Sequence, residues 1–313
     1  MSLVDNSICI SYINTHGQSG LTESKQLQIE DFMKQYKVDI GHLQEIEICD
    51  TSFSNCNFIS SSFNILSNNA SNKFGTASLI RSIYSAENIQ VDNKGRAIMF
   101  DIGEVSFGNF YVQSGTDSQS RSQRESFLSD TMPQLLTFKK QVGCLGGDWN
   151  CIAEKADATT NPDSKISTSL KCVIKTFELK DSYRVLHPNK NVFSRYYSDS
   201  RCKGASRLDR QYHFGNVIIK SAQYIPLAFS DHHALVIHMS VPEILNKSFC
   251  PRGRQLFRLR DEVINDSKFQ NDLSEAMLRW KNIKSFGMDS LTWWETIVKP
   301  GVKKIGLIRG KEI

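Results

Sequence analysis

Apolar residues in this chain come in short, dense clusters, and their spacing changes from one cluster to the next. Residues 7–13 (SICISYI) have the apolar content of a buried strand. Residues 25–36 (KQLQIEDFMKQY) place Leu27, Ile29, Phe32 and Met33 near helical spacing. Residues 38–48 (VDIGHLQEIEI) return to strand character, so the chain opens as strand, helix, strand. The Ser- and Asn-rich stretch 52–73 reads as a loop. GTASLI (75–80), AIMFDI (97–102) and FGNFYVQ (107–113) are short, rich in β-formers and bounded by Gly, Asn or Asp. Residues 122–141 predict a helix with a proline in it, 141–150 (QVGCLGGDWN) a strand, and 169–179 (SLKCVIKTFEL) a second helix. RLDRQYHF, NVIIKSAQYI and HHALVIHMSV, between 207 and 241, predict three more strands. Helices and hairpins are mixed without regular β-α alternation, which predicts an α/β sandwich with mixed sheets in its core.

The strand pattern ends near Pro242. We therefore expect one domain over residues 1–241 and a partly helical appendage over 242–313. Charge sharpens that division. The appendage holds 14 Lys and Arg against 9 Asp and Glu; taken from totals of 38 and 33, this leaves 24 of each in residues 1–240. The net +5 thus resides in the tail, a distribution that suits nucleic acid held partly by local patches. No apolar run is long enough to span a bilayer, so no membrane partner is expected. The first residues do not resemble a secretion signal, and the 8 cysteines show neither CxxC pairs nor zinc spacing. Reduced thiols in an intracellular protein are expected.

Polar groups at the ends of the predicted strands carry the chemistry. Glu45 (GHLQEIEI), Asp148 (CLGGDWN), Asp209 (SRLDR) and Asp231 (FSDHH) each follow or interrupt an apolar run. A buried carboxylate is costly unless it is paired, hydrogen-bonded or bound to a metal. If the strands lie side by side, these groups converge at one edge together with Asn150 and His232. Converging carboxylates hold a divalent cation, and a His–Asp pair offers acid/base chemistry. Metal-assisted displacement at phosphorus needs these parts, so a phosphate ester is the expected target. The bland alternative for any one of them is a helix cap or turn. His233 should be scaffold, because successive strand side chains face opposite ways.

Six ordered motifs resemble the endonuclease/exonuclease/phosphatase superfamily, which includes DNase I and the apurinic endonucleases. They are SYIN (Asn14), LQEIE (Glu45), YVQSG (Tyr111), GGDWN (Asp148, Asn150), RLDR (Asp209) and SDHHAL (Asp231, His232). The resemblance covers about residues 6–240 and implies a four-layered α/β sandwich: two mixed β-sheets packed face to face with helices outside. Within the superfamily, GTASLI, KGRAIMFDI and LKDSYRVLHPN are most similar to endonuclease domains of LINE-type non-LTR retrotransposons. The tail, with Trp293 and Trp294, resembles the linker that leads to a reverse transcriptase. Two departures stand out: His16 replaces the usual Asn or Asp, and Gln113-Ser114 replaces Pro-Asn.

The resemblance implies roles residue by residue. Glu45 and Asp231, with Asn14 near, hold Mg²⁺ or Mn²⁺. Asp148 orients or deprotonates water. Asn150 donates to the developing charge, and Tyr111 and Ser114 donate to the phosphate. His232, steadied by Asp209, makes a further phosphate contact. Residues 193–209 predict a hairpin whose Arg195, Tyr196, Tyr197, Arg201, Lys203 and Arg207 touch DNA, with Arg121 and Arg124 as a second patch. The implied partners are double-stranded genomic DNA, a reverse transcriptase domain and, indirectly, element RNA. The implied place of action is the nucleus, after synthesis in the cytoplasm. An abasic-site endonuclease and a catalytically dead binding module of the same fold are the alternatives.

Overall fold

The computed structural model describes residues 7–17, 20–49, 51–69, 75–198, 203–240, 261–283, 298, 301, 302 and 305. The chain divides into two compact units, Met1–Pro251 and Arg252–Ile313. The boundary expected near Pro242, and Trp293 and Trp294, lie outside the described residues.

The first unit opens with β1 (Ile8–Asn14), α1 (Glu23–Gln35), β2 (Ile40–Ile46), α2 (Asn57–Ser62), β3 (Phe63–Asn68) and β4 (Gly75–Arg81). It continues through β5 (Glu87–Val91), β6 (Ala97–Ile102), β7 (Val105–Tyr111), α3 (Ser118–Ser126), α4 (Met132–Leu136) and β8 (Val142–Asp148). Then come α5 (Pro162–Lys165), α6 (Thr168–Thr176), β9 (Lys180–Asp181) and α7 (Ser182–Leu186). Five strands close it: β10 (Arg195–Ser198), β11 (Lys203–Ser206), β12 (Asp209–Phe214), β13 (Ile218–Pro226) and β14 (His233–Ser240).

Two six-stranded sheets result, in the orders β13-β14-β1-β2-β4-β3 and β5-β6-β7-β8-β12-β9. Each is mixed: β1 and β2 run parallel, as do β7 and β8, and the other pairs are antiparallel. The cluster between the sheets includes Tyr12, Ile40, Phe100, Phe107, Leu235 and Ile237. A second cluster packs α4 and α6 on the outside of one sheet through Met132, Leu136, Leu170 and Val173. A third packs α1 and α2 on the other through Ile29, Met33 and Ile59. Helix, sheet, sheet and helix therefore form the four expected layers.

Topology fixes where the strand ends meet. β1, β2, β7 and β8 finish at one edge of the sandwich. β12 runs antiparallel to β8 and β14 antiparallel to β1, so both begin there. Asp209 lies directly across from Asp148, which is also in register with Tyr111.

Two sequence expectations need correction. The stretch read as a loop at 52–73 contains α2 and β3; β3 is an edge strand buried only at its two ends, and its Ser and Asn content hides it. The proline-containing helix is split by a π turn at Phe127–Thr131, just before Pro133 enters α4. A wider turn accommodates the donor that proline lacks.

The second unit contains α8 (Asp261–Ile264) and α9 (Ser267–Ile283). Asp266 caps α9, its Oδ2 accepting from Phe269 N at 2.8 Å. The six described cysteines are free, and among the described residues no helix is long and apolar enough to cross a membrane.

Candidate active site

Each strand end delivers a polar side chain to the shared edge. Asp148 ends β8 and is fully buried. Gly147 precedes it at φ +134°, where a Cβ would lie 2.0 Å from Phe110 O, so only glycine permits this approach. Asp148 Oδ2 accepts from Asn14 Nδ2 (2.8 Å) and Asn150 Nδ2 (3.0 Å), and its Oδ1 from Asn150 N (3.0 Å). Asp209 Oδ2 meets His232 Nδ1 at 2.7 Å. One ligand atom from each of Asp148, Asp209 and His232 lies within 4.8 Å of the others.

Burial and the neighbouring Asp209 carboxylate push the Asp148 carboxyl up to about 7. Burial alone would make His232 harder to protonate. The charges of Asp209 and Asp148 outweigh it and raise the imidazole to about 9. His232 is therefore a cation near neutral pH.

Glu45 is placed by a backbone irregularity. The β2–β4 register shifts between Gln44 and Ile46, and the bulged Glu45 sits at φ +56°. A left-handed residue of this type is costly and marks a site under constraint. Glu45 Oε1 accepts from Asn14 Nδ2 (3.1 Å) and Tyr111 OH (3.0 Å), and Oε2 from Gly17 N (3.0 Å). A Cβ on Gly17 would lie 2.5 Å from Glu45 O, so glycine keeps that backbone contact possible. His16 (φ +51°) and Asn150 (φ +47°) share the left-handed region, which gathers three such residues around the cleft.

Asp231 lies between two nitrogen groups: Arg195 Nε at 2.9 Å and His16 Nδ1 at 3.1 Å. Burial would raise its carboxyl, but Arg195 and His232 hold it below the ordinary value. His16, which stands where the resembled motif usually has Asn or Asp, is thus built into the site. Sequence reading marked the departure without seeing its partner.

The donor chemistry fits a divalent cation. Glu45, Asp148, Asp209 and Asp231 face the cations of Arg195 and His232, which leaves negative charge in excess. Asp209 Oδ1 is buried without a hydrogen-bond partner. The oxygen-rich set suits Mg²⁺ or Mn²⁺. Among the described residues Glu45 makes no ion pair, whereas His232 uses Nδ1 for Asp209 and, once protonated, is a poor ligand.

Several expected roles change. Asn14 turns its amide nitrogen to both carboxylates and its Oδ1 to His16 N (2.9 Å), so it bridges Glu45 and Asp148. Asn150 spends its amide hydrogens on Asp148 and on Val112 O (2.9 Å), so it fixes Asp148 and has none left for an oxyanion. The Tyr111 hydroxyl donates to Glu45, with Ser114 Oγ at 3.4 Å; burial and Glu45 hold its pKa well above the ordinary value.

Arg207 and Arg124 do not reach DNA. Arg207 is 2% exposed and binds Asp157 Oδ1 (2.8 Å) and Asp181 Oδ2 (2.7 Å). Arg210, buried like Arg207, pairs with the same Asp157 (3.5 Å). The two arginines of RLDR thus lock Asp209 in place from inside the fold. Arg124 is buried and donates to Gln113 O (2.8 Å) and Gly115 O (3.3 Å), bracing the loop after β7. Arg121 is exposed.

The predicted hairpin exists as β10–β11, with Arg195 paired to Ser206 and Ser198 to Lys203. Arg201 lies outside the described residues. A bridge between Arg195 and His232 joins this hairpin to the catalytic edge. Tyr196 is half exposed, and its ring lies 5.1 Å from that of His233. His233 thus packs against the exposed hairpin tyrosine. Tyr197 turns inward, its hydroxyl bonded to Thr160 and Lys165. Lys203 is exposed. Ser194 Oγ accepts from Leu208 N (2.9 Å) and Asp209 N (3.0 Å), a supporting role with no sequence signal.

No protein-family model matches the chain. Solved structures do resemble it. An AP endonuclease from Archaeoglobus fulgidus superposes with a TM-score of 0.61 at 20% identity, over 75% of this chain and 100% of that one. The 3′ phosphatase NExo from Neisseria, bound to a product DNA hairpin, gives 0.57 at 17% identity over 74% and 98%. TDP2 from D. rerio, complexed with single-strand DNA product, gives 0.57 at 12% identity over 76% and 100%. At such identities the likeness establishes architecture alone: the chain has the DNase I-like α/β sandwich fold.

Proposed function

We propose that this chain is a divalent-metal-dependent phosphodiesterase that nicks DNA. The observation that carries the reading is the meeting of Asp148, Asp209 and His232 within 4.8 Å, beside a bulged Glu45. Supporting it, the A. fulgidus protein is an AP endonuclease and NExo and TDP2 were solved with DNA.

Glu45, with Asp231 across the cleft, would hold the cation, which supplies charge neutralisation at the phosphate and the leaving oxygen. Asp148, held by Asn14 and Asn150, orients water for in-line attack and accepts its proton. A carboxyl raised to about 7 is a stronger base than an ordinary aspartate. Protonated His232, steadied by Asp209, keeps its Nε2–H for a phosphate oxygen. Arg195, Tyr196 and Lys203 on the hairpin and Arg121 on α3 take the flanking strand.

The finer reading follows from the motif resemblance in sequence. The nick leaves a 3′-hydroxyl on genomic DNA that primes reverse transcription of a LINE-type element, in the nucleus. A reverse transcriptase in the same polyprotein and the element RNA are then its partners. Abasic-site repair is the competing reading, favoured by the match to an AP endonuclease. Against it, Ala205 and Ser206, just before RLD, are small and buried, where the abasic-site enzymes carry an aromatic residue. Duplexes with and without one abasic analogue distinguish the two. Comparable cleavage of both is expected, and nick positions mapped on genomic DNA distinguish a target-specific element (one repeated site) from a relaxed one (scatter over T/A-rich steps). Cleavage confined to the abasic duplex would overturn the retrotransposon reading in favour of repair.

A further inference from the structure

A cavity of about 230 Å³ opens between the β5–β6 connection and α3. Lys94, Arg96, Gln113, Ser122 and Gln123 line it, and no carboxylate does. The nearby acids are engaged elsewhere. Asp92 accepts from the backbone N–H groups of Lys94 (3.0 Å), Arg96 (2.6 Å) and Ala97 (2.7 Å). Asp130, on the π turn, accepts from Ser126 and Ser129. The cavity therefore presents two cations and neutral donors.

Arg96 links this cavity to the cleft. Its guanidinium carbon lies 4.9 Å from the centre of the Tyr111 ring, and the Tyr111 hydroxyl donates to Glu45 at 3.0 Å. Arg96 Nη1 is buried and has no hydrogen-bond partner. An unmet buried donor is expensive, and a charge-assisted bond to an anion would satisfy it. The walls are preorganised: Asp92 holds the Lys94–Arg96 turn, and Asn68 Nδ2 holds Asp92 Oδ1 at 3.1 Å.

We propose that this cavity is an anion subsite that seats a phosphate of the substrate strand next to the one being cut. The assignment to DNA rests on the nuclease reading; the anion chemistry does not. Lys94 supplies a point charge at the rim, Arg96 a fixed fork beneath, and Gln123 a neutral donor from α3.

Lys94→Glu and Gln123→Glu, singly and together in the full chain, test it, because both positions are exposed and tolerate a charge without repacking. Affinity for a fluorescent duplex is measured by anisotropy in EDTA across a salt series. In the double variant, binding should weaken roughly three- to tenfold and the salt slope should become shallower by about one phosphate's worth. Hydrolysis of bis(p-nitrophenyl) phosphate, which has one phosphate, should be unchanged. An unaltered salt slope in the double variant overturns the proposal. So does protection of the wild type by inorganic phosphate alone without any change in slope, which would make the cavity a free-anion site. If the wild type cleaves neither DNA nor the small diester, the nuclease reading fails, and the salt slope still decides whether the cavity holds a DNA phosphate.

Discussion

His232 and Asp148 tie the chemistry of the cleft to the stability of the fold. In the folded chain His232 keeps its proton up to about 9, against an ordinary value of 6.5. Its stabilising contribution is complete below about 6.5 and disappears as pH rises through 9. Asp148 acts in the same direction. Its carboxyl stays protonated up to about 7 instead of 3.8, so ionising it in the buried site erodes stability across that window. Without divalent metal, the melting temperature should therefore fall steadily between pH 6 and 9.5. His232→Gln should flatten the upper part of that curve. A melting temperature that rises over this range would contradict the charge states assigned here. Added Mg²⁺ should raise the melting temperature, because the assembled carboxylates bind the cation in the native state alone.

Elements hold these residues through buried ions and one aromatic stack. Asp157 pairs with Arg184, Arg207 and Arg210, which fixes the start of β12 and with it Asp209. Asp157→Ala would leave Arg210 buried without its acidic partner and Arg207 with Asp181 alone. The expected cost is about 3–5 kcal/mol, read from denaturant unfolding, with DNA cleavage lost in proportion to unfolding. A loss under 1 kcal/mol would show that the cluster is not needed. The β10–β11 hairpin is a different case, because it packs on the unit without building its core. Tyr196→Ala should leave stability and the maximal cleavage rate intact while weakening the binding of substrate by roughly 1–3 kcal/mol. Single-turnover rates against enzyme concentration separate these terms. A reduced maximal rate with unchanged half-saturation would place Tyr196 in the chemistry and not in binding.

Across the whole molecule, the strand ends were readable in sequence because buried carboxylates interrupt apolar runs, and the layered architecture followed from six motifs in series, whereas the strand order did not. What escaped depends on contacts between distant segments. Arg207 and Arg210 look alike in RLDR, and neither charge nor spacing says that Asp157 and Asp181 will bury them. The His16–Asp231 pair joins residues far apart in sequence that follow β1 and precede β14, neighbours in one sheet, and Ser194 offers only a hydroxyl in a loop. Asn14 and Asn150 sit at the cleft as the motifs implied, but their bonds to Glu45, Asp148 and Val112 could not be read in sequence, because which atoms of an amide face the cleft is decided by the fold. β3 was hidden by Ser and Asn in an edge strand that water half covers. All of these contacts meet around Asp148 and His232, where we propose that the aspartate orients water beside a protonated histidine. Supercoiled plasmid incubated with the chain and Mg²⁺ probes it. Open circles carrying 3′-hydroxyl ends are expected, absent with EDTA and slowed about 10²–10⁴-fold in a folded Asp148→Ala variant. A wild-type chain that leaves the plasmid supercoiled, or a variant that nicks as fast as its parent, would contradict it.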